Sequence, residues 1–142
     1  MKIFCECDFS TVSVHHTISC VAFLLKIITM SFLPQTFMDT AMVMLEIKKN
    51  NISTTRMMQK FVSTFGITPN MCSIVWTKLQ DDEMPATVLP KHLLWTLHFL
   101  RCYNSEEVLT NLTKCCRQTL TKWIWPMIER LHDLDIVSNN YL

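Results

Sequence analysis

The sequence predicts an all-α protein, a small helical bundle with helix-turn-helix-like units. Three observations carry this. One glycine and five prolines among 142 residues leave too few turn-formers for a sandwich of short strands. Hydrophobic residues make up 49% of the chain, which argues against disorder and is enough for a core. Finally, apolar residues recur at three- and four-residue spacing between helix start and stop signals from Met57 to Leu134.

Residues 1–37 form an apolar segment unlike the rest. Thr17 to Leu33 has the apolarity of a signal h-region or a short membrane span, but Glu6 and Asp8 spoil a basic n-region and Lys26 interrupts the run. A buried helix is the simpler reading. Met30, Met38 and Met42 offer later starts, so the segment also reads as a gene-model extension.

Residues 38–83 read as a first helical pair. A short helix from Asp39 to about Lys49 is expected on Met42, Val43, Leu45 and Ile47, ended by Asn50-Asn51. Met57 to Leu79 then gives helix, turn, helix. Gly66 follows Phe65 as a C-terminal residue of the first, and Thr68-Pro69 supply a cap and a first position for the second. Gln80 to Leu89, acidic and interrupted by Pro85, is a linker.

Residues 84–142 read as the helix-turn-helix-like unit. Its first helix opens at Pro90 and runs to about Cys102 on Leu93, Leu94 and Leu97, with Trp95 and His98 at the flanks. A second begins after Ser105, a capping hydroxyl ahead of Glu106 and Glu107, and ends near Leu112. Lys114-Cys115-Cys116 make the turn, and the third helix runs from Arg117 to about Leu131. Its stripe of Leu120, Trp123, Ile124, Met127, Ile128 and Leu131 predicts one buried side. Pro126 removes a hydrogen bond to Lys122 and crowds that turn, so a kink is expected.

Off that stripe lie Arg117, Gln118, Thr121, Lys122 and Trp125. Cationic, amide and hydroxyl groups at the start of such a helix are what meets phosphates and base edges in a major groove. Lys114, Arg117, Gln118, Thr121 and Lys122 are therefore the candidate DNA-binding residues, with duplex DNA as the partner. The net charge of +1 is low for a DNA binder. From Lys91 to Arg130, however, Lys91, Arg101, Lys114, Arg117, Lys122 and Arg130 outnumber Glu106, Glu107 and Glu129. Amphipathic helices with polar outer faces also suit a protein interaction module that docks a partner through Trp and Met surfaces. A small protein tethered by residues 17–33 is a third reading.

The ordered phrases FGITPNMCSIVWTKL, PKHLLWTLHFLRCY, SEEVL and QTLTKWIWPMIERLHDL resemble the N-terminal helical region of PIF/Harbinger-like transposases, which are DDE superfamily endonucleases. The resemblance covers roughly residues 55 to 137. It aligns the family's Phe-Gly turn with Phe65-Gly66, a tryptophan with Trp76, a Leu-Leu-Trp run with Leu93 to Trp95, and a Lys-Trp pair with Lys122-Trp123. It implies a transposase-derived region that contributes to binding transposon DNA ahead of a nuclease core. The family's turn often carries glycine where this chain has Lys114-Cys115-Cys116, and a non-glycine residue resists positive φ.

The chain stops at Leu142, where the family approaches its first catalytic strand, so no nuclease activity is expected of it. Two-metal phosphoryl transfer needs carboxylates from separate elements around ions about 4 Å apart. Asp133 and Asp135 read instead as a solvated helix end. No metal or cofactor is expected. Cys5, Cys7, His15, His16 and Cys20 lack the spacing of a tetrahedral site, and His98 with Cys102 are only two ligands. Seven cysteines leave one unpaired, and adjacent Cys115-Cys116 are poor disulfide geometry, so reduced thiols are expected. The sequons at Asn51 and Asn111 read as accidental. The compartment expected is the nucleus or cytoplasm, ahead of a membrane.

Overall fold

A computed structural model describes residues 20–22, 24–25, 33–81 and 84–134. Every regular element among them is helical. Contacts divide the chain into two units, Met1–Phe32 and Leu33–Leu142. In the first, the described residues 20–22, 24 and 25 are helical, with Val21, Leu24 and Leu25 exposed. Most of the apolar run at 17–33 lies outside the described residues, as do Cys5, Cys7, Asp8, His15, His16 and Asp135. No described helix is long and apolar enough to cross a membrane.

The second unit contains six α-helices among its described residues. We label them α1 (33–44), α2 (Thr54–Phe65), α3 (Pro69–Asp81), α4 (Pro90–Cys102), α5 (Glu106–Thr113) and α6 (Arg117–Asp133). A 3-10 turn at Lys49–Asn51 precedes α2.

Helix α1 departs from expectation at both ends. It starts at residue 33, with Pro34 in its first turn, where a missing N–H has no partner to lose. It ends at Met44, after which Glu46 adopts a left-handed conformation at φ 55° and turns the chain away. The helix thus spans the 37–38 division expected from sequence. Phe37 and Met38 are both buried, so the core reaches into residues that the sequence leaves unmatched.

The other helices begin and end on local chemistry. Ser53 caps α2 by accepting from the Arg56 N–H, and Gly66 closes it at φ 84° with its N–H on the Val62 carbonyl. A Cβ at Gly66 would meet the Arg101 side chain at 3.4 Å, in addition to the strain of that φ. Thr68 accepts from the Met71 N–H at 3.3 Å at the head of α3. Ser105 takes the extended backbone of a cap, but its hydroxyl makes no capping hydrogen bond. The end of α5 is a left-handed Lys114 at φ 57°, a conformation expected to need glycine. Helix α6 continues across Pro126, which lies on its exposed side, where water can hydrate the carbonyl deprived of its partner.

Two apolar clusters form among the described residues. The first joins Phe37, Met38, Ala41 and Met42 of α1 with Phe61 and Phe65 of α2, Cys72, Val75, Trp76 and Leu79 of α3, Leu93 and Leu94 of α4, and Met127 of α6. Phe61 and Phe65 meet at 4.8 Å, and Trp76 takes the Phe37 ring edge-on at 6.1 Å. Each such side chain contributes about 1.5–3 kcal/mol by leaving water. Burial also drives the Cys72 thiol pKa up to about 12, so it stays protonated. The second cluster is smaller: Trp95, Leu109, Leu120 and Ile124, with Phe99, Trp123 and Ile128 half-buried around it. Helix α4 contributes to both clusters and packs most extensively on α6 and α2.

Candidate nucleic-acid interface

Helices α4, α5 and α6 contact one another pairwise. On α6, Leu120, Ile124 and Met127 are buried and Trp123, Ile128 and Leu131 half-buried, so the predicted stripe faces inward. Arg117, Gln118, Thr121 and Lys122 are all exposed. At about 100° per residue they share an arc of about 140°, and Trp125 falls near its middle. That indole is 54% exposed and meets Phe99 edge-on at 6.0 Å. The sequence marked Trp125 as off the stripe; its spacing of four from Thr121 and three from Lys122 was the signal that it shares their face.

The electrostatics of this face are more balanced than its residue types suggest. Arg117, the first residue of α6, forms an ion pair with Glu106, the first residue of α5. The Thr121 hydroxyl donates to the Arg117 carbonyl at 3.0 Å, leaving its oxygen lone pairs and methyl outward. Lys122 places its ammonium 5.1 Å from the centre of the Trp123 ring. Phe99, Glu106, Arg117, Thr121 and Trp125 line a shallow cleft whose floor is Leu109, Leu120 and Ile124.

Lys114 is not brought into this arc. Its ammonium lies 3.4 Å from the Glu46 carboxylate, and its side chain lines a different groove, between α1, α4 and the end of α5. Of the five candidates, four therefore share one face. Beside them, Cys116 occupies the cap of α6 as an exposed thiol. Its pKa is lowered by the Thr119 hydroxyl, with Sγ and Oγ1 3.1 Å apart, and by the backbone N–H groups of Thr119 and Gln118. Cys72, Cys102, Cys115 and Cys116 are free thiols.

Two buried histidines tie α4 to its neighbours, His92 to α6 and His98 to α2. His92, the third residue of α4, accepts the Leu89 N–H on Nδ1 at 3.0 Å and closes the helix start, a role the sequence did not signal. Its ring stacks on Trp123 of α6 at 4.2 Å and 7° and meets Trp95 edge-on at 5.0 Å. Burial, followed by the charge of Lys91, lowers its pKa to about 4. His98 lies 3.3 Å through Nδ1 from the Thr64 carbonyl and 3.0 Å through Nε2 from the Asn104 amide. The partners fit one neutral tautomer, with Nδ1 donating and Nε2 accepting. Cys102 is exposed, with Sγ 3.7 Å from the same Nδ1. Among the described residues no group of three or more His, Cys, Asp or Glu side chains is arranged to hold a metal ion.

Comparison with known proteins gives no match to a family, to a curated protein or to a solved structure.

Proposed function

We propose that the α4–α6 unit is a non-catalytic duplex-DNA-binding module, with α6 as the helix presented to the major groove. The observation that carries this is the division of α6. Its inner stripe is buried, while Arg117, Gln118, Thr121 and Lys122 sit together on the exposed face of its first two turns. These groups supply charge for phosphates and directional donors for base edges. The resemblance to the helical region of PIF/Harbinger-like transposases supports the same partner from the sequence side. On this reading the protein works in the nucleus and needs no nucleophile, metal or cofactor.

The test is an anisotropy titration of a duplex DNA with the full chain at several salt concentrations. Binding should weaken steeply with salt, because bound lysines and arginines displace condensed counterions. Lys122→Ala and Gln118→Ala should lower affinity without lowering the melting temperature, by about 1–3 kcal/mol where the residue reads a base edge and by less where it meets phosphate. Incubation with Mg²⁺ or Mn²⁺ should leave the DNA uncut. Absence of binding at low salt would reject the proposal.

A second reading is favoured by one observation. Trp125 is 54% exposed beside Phe99, and Leu100 and Tyr103 near the end of α4 are also exposed. That apolar surface suits a helical interaction module. If Trp125→Ala abolishes a protein association while Lys122→Ala leaves DNA affinity unchanged, the interaction reading replaces the DNA one.

A further inference from the structure

A groove of about 360 Å³ lies between α1, α4 and the end of α5, on lining residues different from those of the α6 cleft. Its size is at the small end of the range in which ligand pockets fall. Its walls are apolar. Val43 is a large aliphatic residue left 79% exposed on α1, and Met44 and Leu112 extend the same surface. The two threonines on the lining keep their hydroxyls on their own helices: Thr40 donates to the Thr36 carbonyl at 2.7 Å and Thr113 to the Leu109 carbonyl at 2.8 Å. Both hydroxyl protons are thereby engaged within their helices.

Among the described residues, the charges on the lining are those of Lys91, Lys114 and Glu46. Lys91 places its ammonium 5.5 Å from the centre of the Trp95 ring, which holds the charge at the groove. Lys114 lies 3.4 Å from Glu46. Two cations against one anion leave one positive charge beside an apolar wall. The complementary ligand has an apolar body and a single negative head.

We propose that this groove binds a small alkyl carboxylate, with its chain against Val43, Met44 and Leu112 and its head group between the ammonium groups of Lys91 and Lys114. The bound carboxylate shares Lys114 with Glu46 and neutralises the lining. Chain burial supplies the non-directional part of the affinity and the lysines select the head group. This inference does not depend on DNA binding, since Lys114 lies outside the α6 face.

The experiment is an NMR titration of the full chain, without DNA, with decanoate below its micelle concentration at low ionic strength. Decanol and decyltrimethylammonium serve as controls for the head group. Decanoate should give saturable shifts centred on Val43, Met44 and Leu112, decanol should bind about tenfold more weakly, and the cation should not saturate. Lys91→Gln and Lys114→Gln should each lower decanoate affinity about three- to tenfold. Val43→Glu, at an exposed position that tolerates charge, should abolish binding while the thermal melt is unchanged. The proposal is overturned if decanol binds as tightly as decanoate, if the shifts centre on another surface, or if Lys91→Gln and Lys114→Gln both leave affinity unchanged.

Discussion

The two apolar clusters of the helical unit are built to different standards. The first draws on α1, α2, α3, α4 and α6, and Phe37, Phe61, Phe65, Leu79, Leu93 and Leu94 are each sealed from water. The second has four buried side chains, and its surrounding rings, Phe99 and Trp123, are half exposed. The contrast places the stability of the fold in the first cluster and the exposed chemistry around the second. A helix that must present polar groups outward has only one side left to bury, so a module built on α5 and α6 relies on a neighbour for its rigidity. Helix α4 supplies that neighbour, turning Leu93 and Leu94 to one cluster and Trp95 to the other.

The largest expected effect tests this division directly. Phe61→Ala should cost about 3–5 kcal/mol and lower the midpoint of a single cooperative urea transition, because the densely packed first cluster cannot collapse around the void. Ile124→Ala should cost about 2–3 kcal/mol, near the low end for such a truncation, because its half-exposed neighbours can close in. Hydrogen exchange should then show faster opening of α5 and α6 amides with α2 and α3 still protected. Equal losses with uniform exchange would show that the two clusters are energetically one.

A pH titration sharpens the comparison, because His92 joins α4 to α6. Its folded pKa of about 4 lies below the ordinary value of 6.5, so between these two values the unfolded chain takes up a proton that the folded one refuses. Stability contributed by neutral His92 is therefore complete above about pH 6.5 and is lost as pH falls towards 4, by up to about 3 kcal/mol. Asp39, whose carboxyl is held below the ordinary range by its hydrogen bond to Lys49, loses its contribution only at lower pH. In urea melts from pH 7.5 to 4.5, His92→Asn should flatten the slope, since its amide oxygen can still accept the Leu89 N–H without titrating. A slope unchanged by the substitution would assign the acid sensitivity to other groups.

The smallest effect concerns the surface pair between the first residues of α5 and α6. Glu106→Gln should change stability by about 0–1 kcal/mol, as exposed pairs do. If α6 meets DNA as proposed, freeing Arg117 should raise affinity at low salt and steepen the log–log salt dependence by about one. Unchanged salt dependence would place Arg117 outside the DNA contact.

Much of this architecture was legible because helix boundaries are written in local chemistry. Pro69 and Pro90 open α3 and α4, Gly66 closes α2, and the apolar stripe on α6 marks its buried side. Helix α1 ends before its expected bound because Glu46 turns left-handed, although Leu45 and Ile47 continue the apolar rhythm past that point. Pro34 is the local start signal for this helix. Glu46, Tyr103 and Lys114 all take left-handed conformations without being glycine, so no residue type advertised them. The candidate site was legible as residue types on one face of α6. Its charge balance was not, since the pairing of Lys114 with Glu46 joins positions remote in sequence.

The double duty of α4 also bears on how this chain can drift. Of its 13 residues, His92, Leu93, Leu94, Trp95, Thr96 and His98 are buried, whereas α5 buries only Leu109. Substitutions in α5 meet mostly water, but almost any change between His92 and His98 must satisfy partners on two sides at once. Descendants of a common ancestor would therefore lose their likeness first along α5 and its turns, and the segment HLLWTLH would be the last by which they could be recognised.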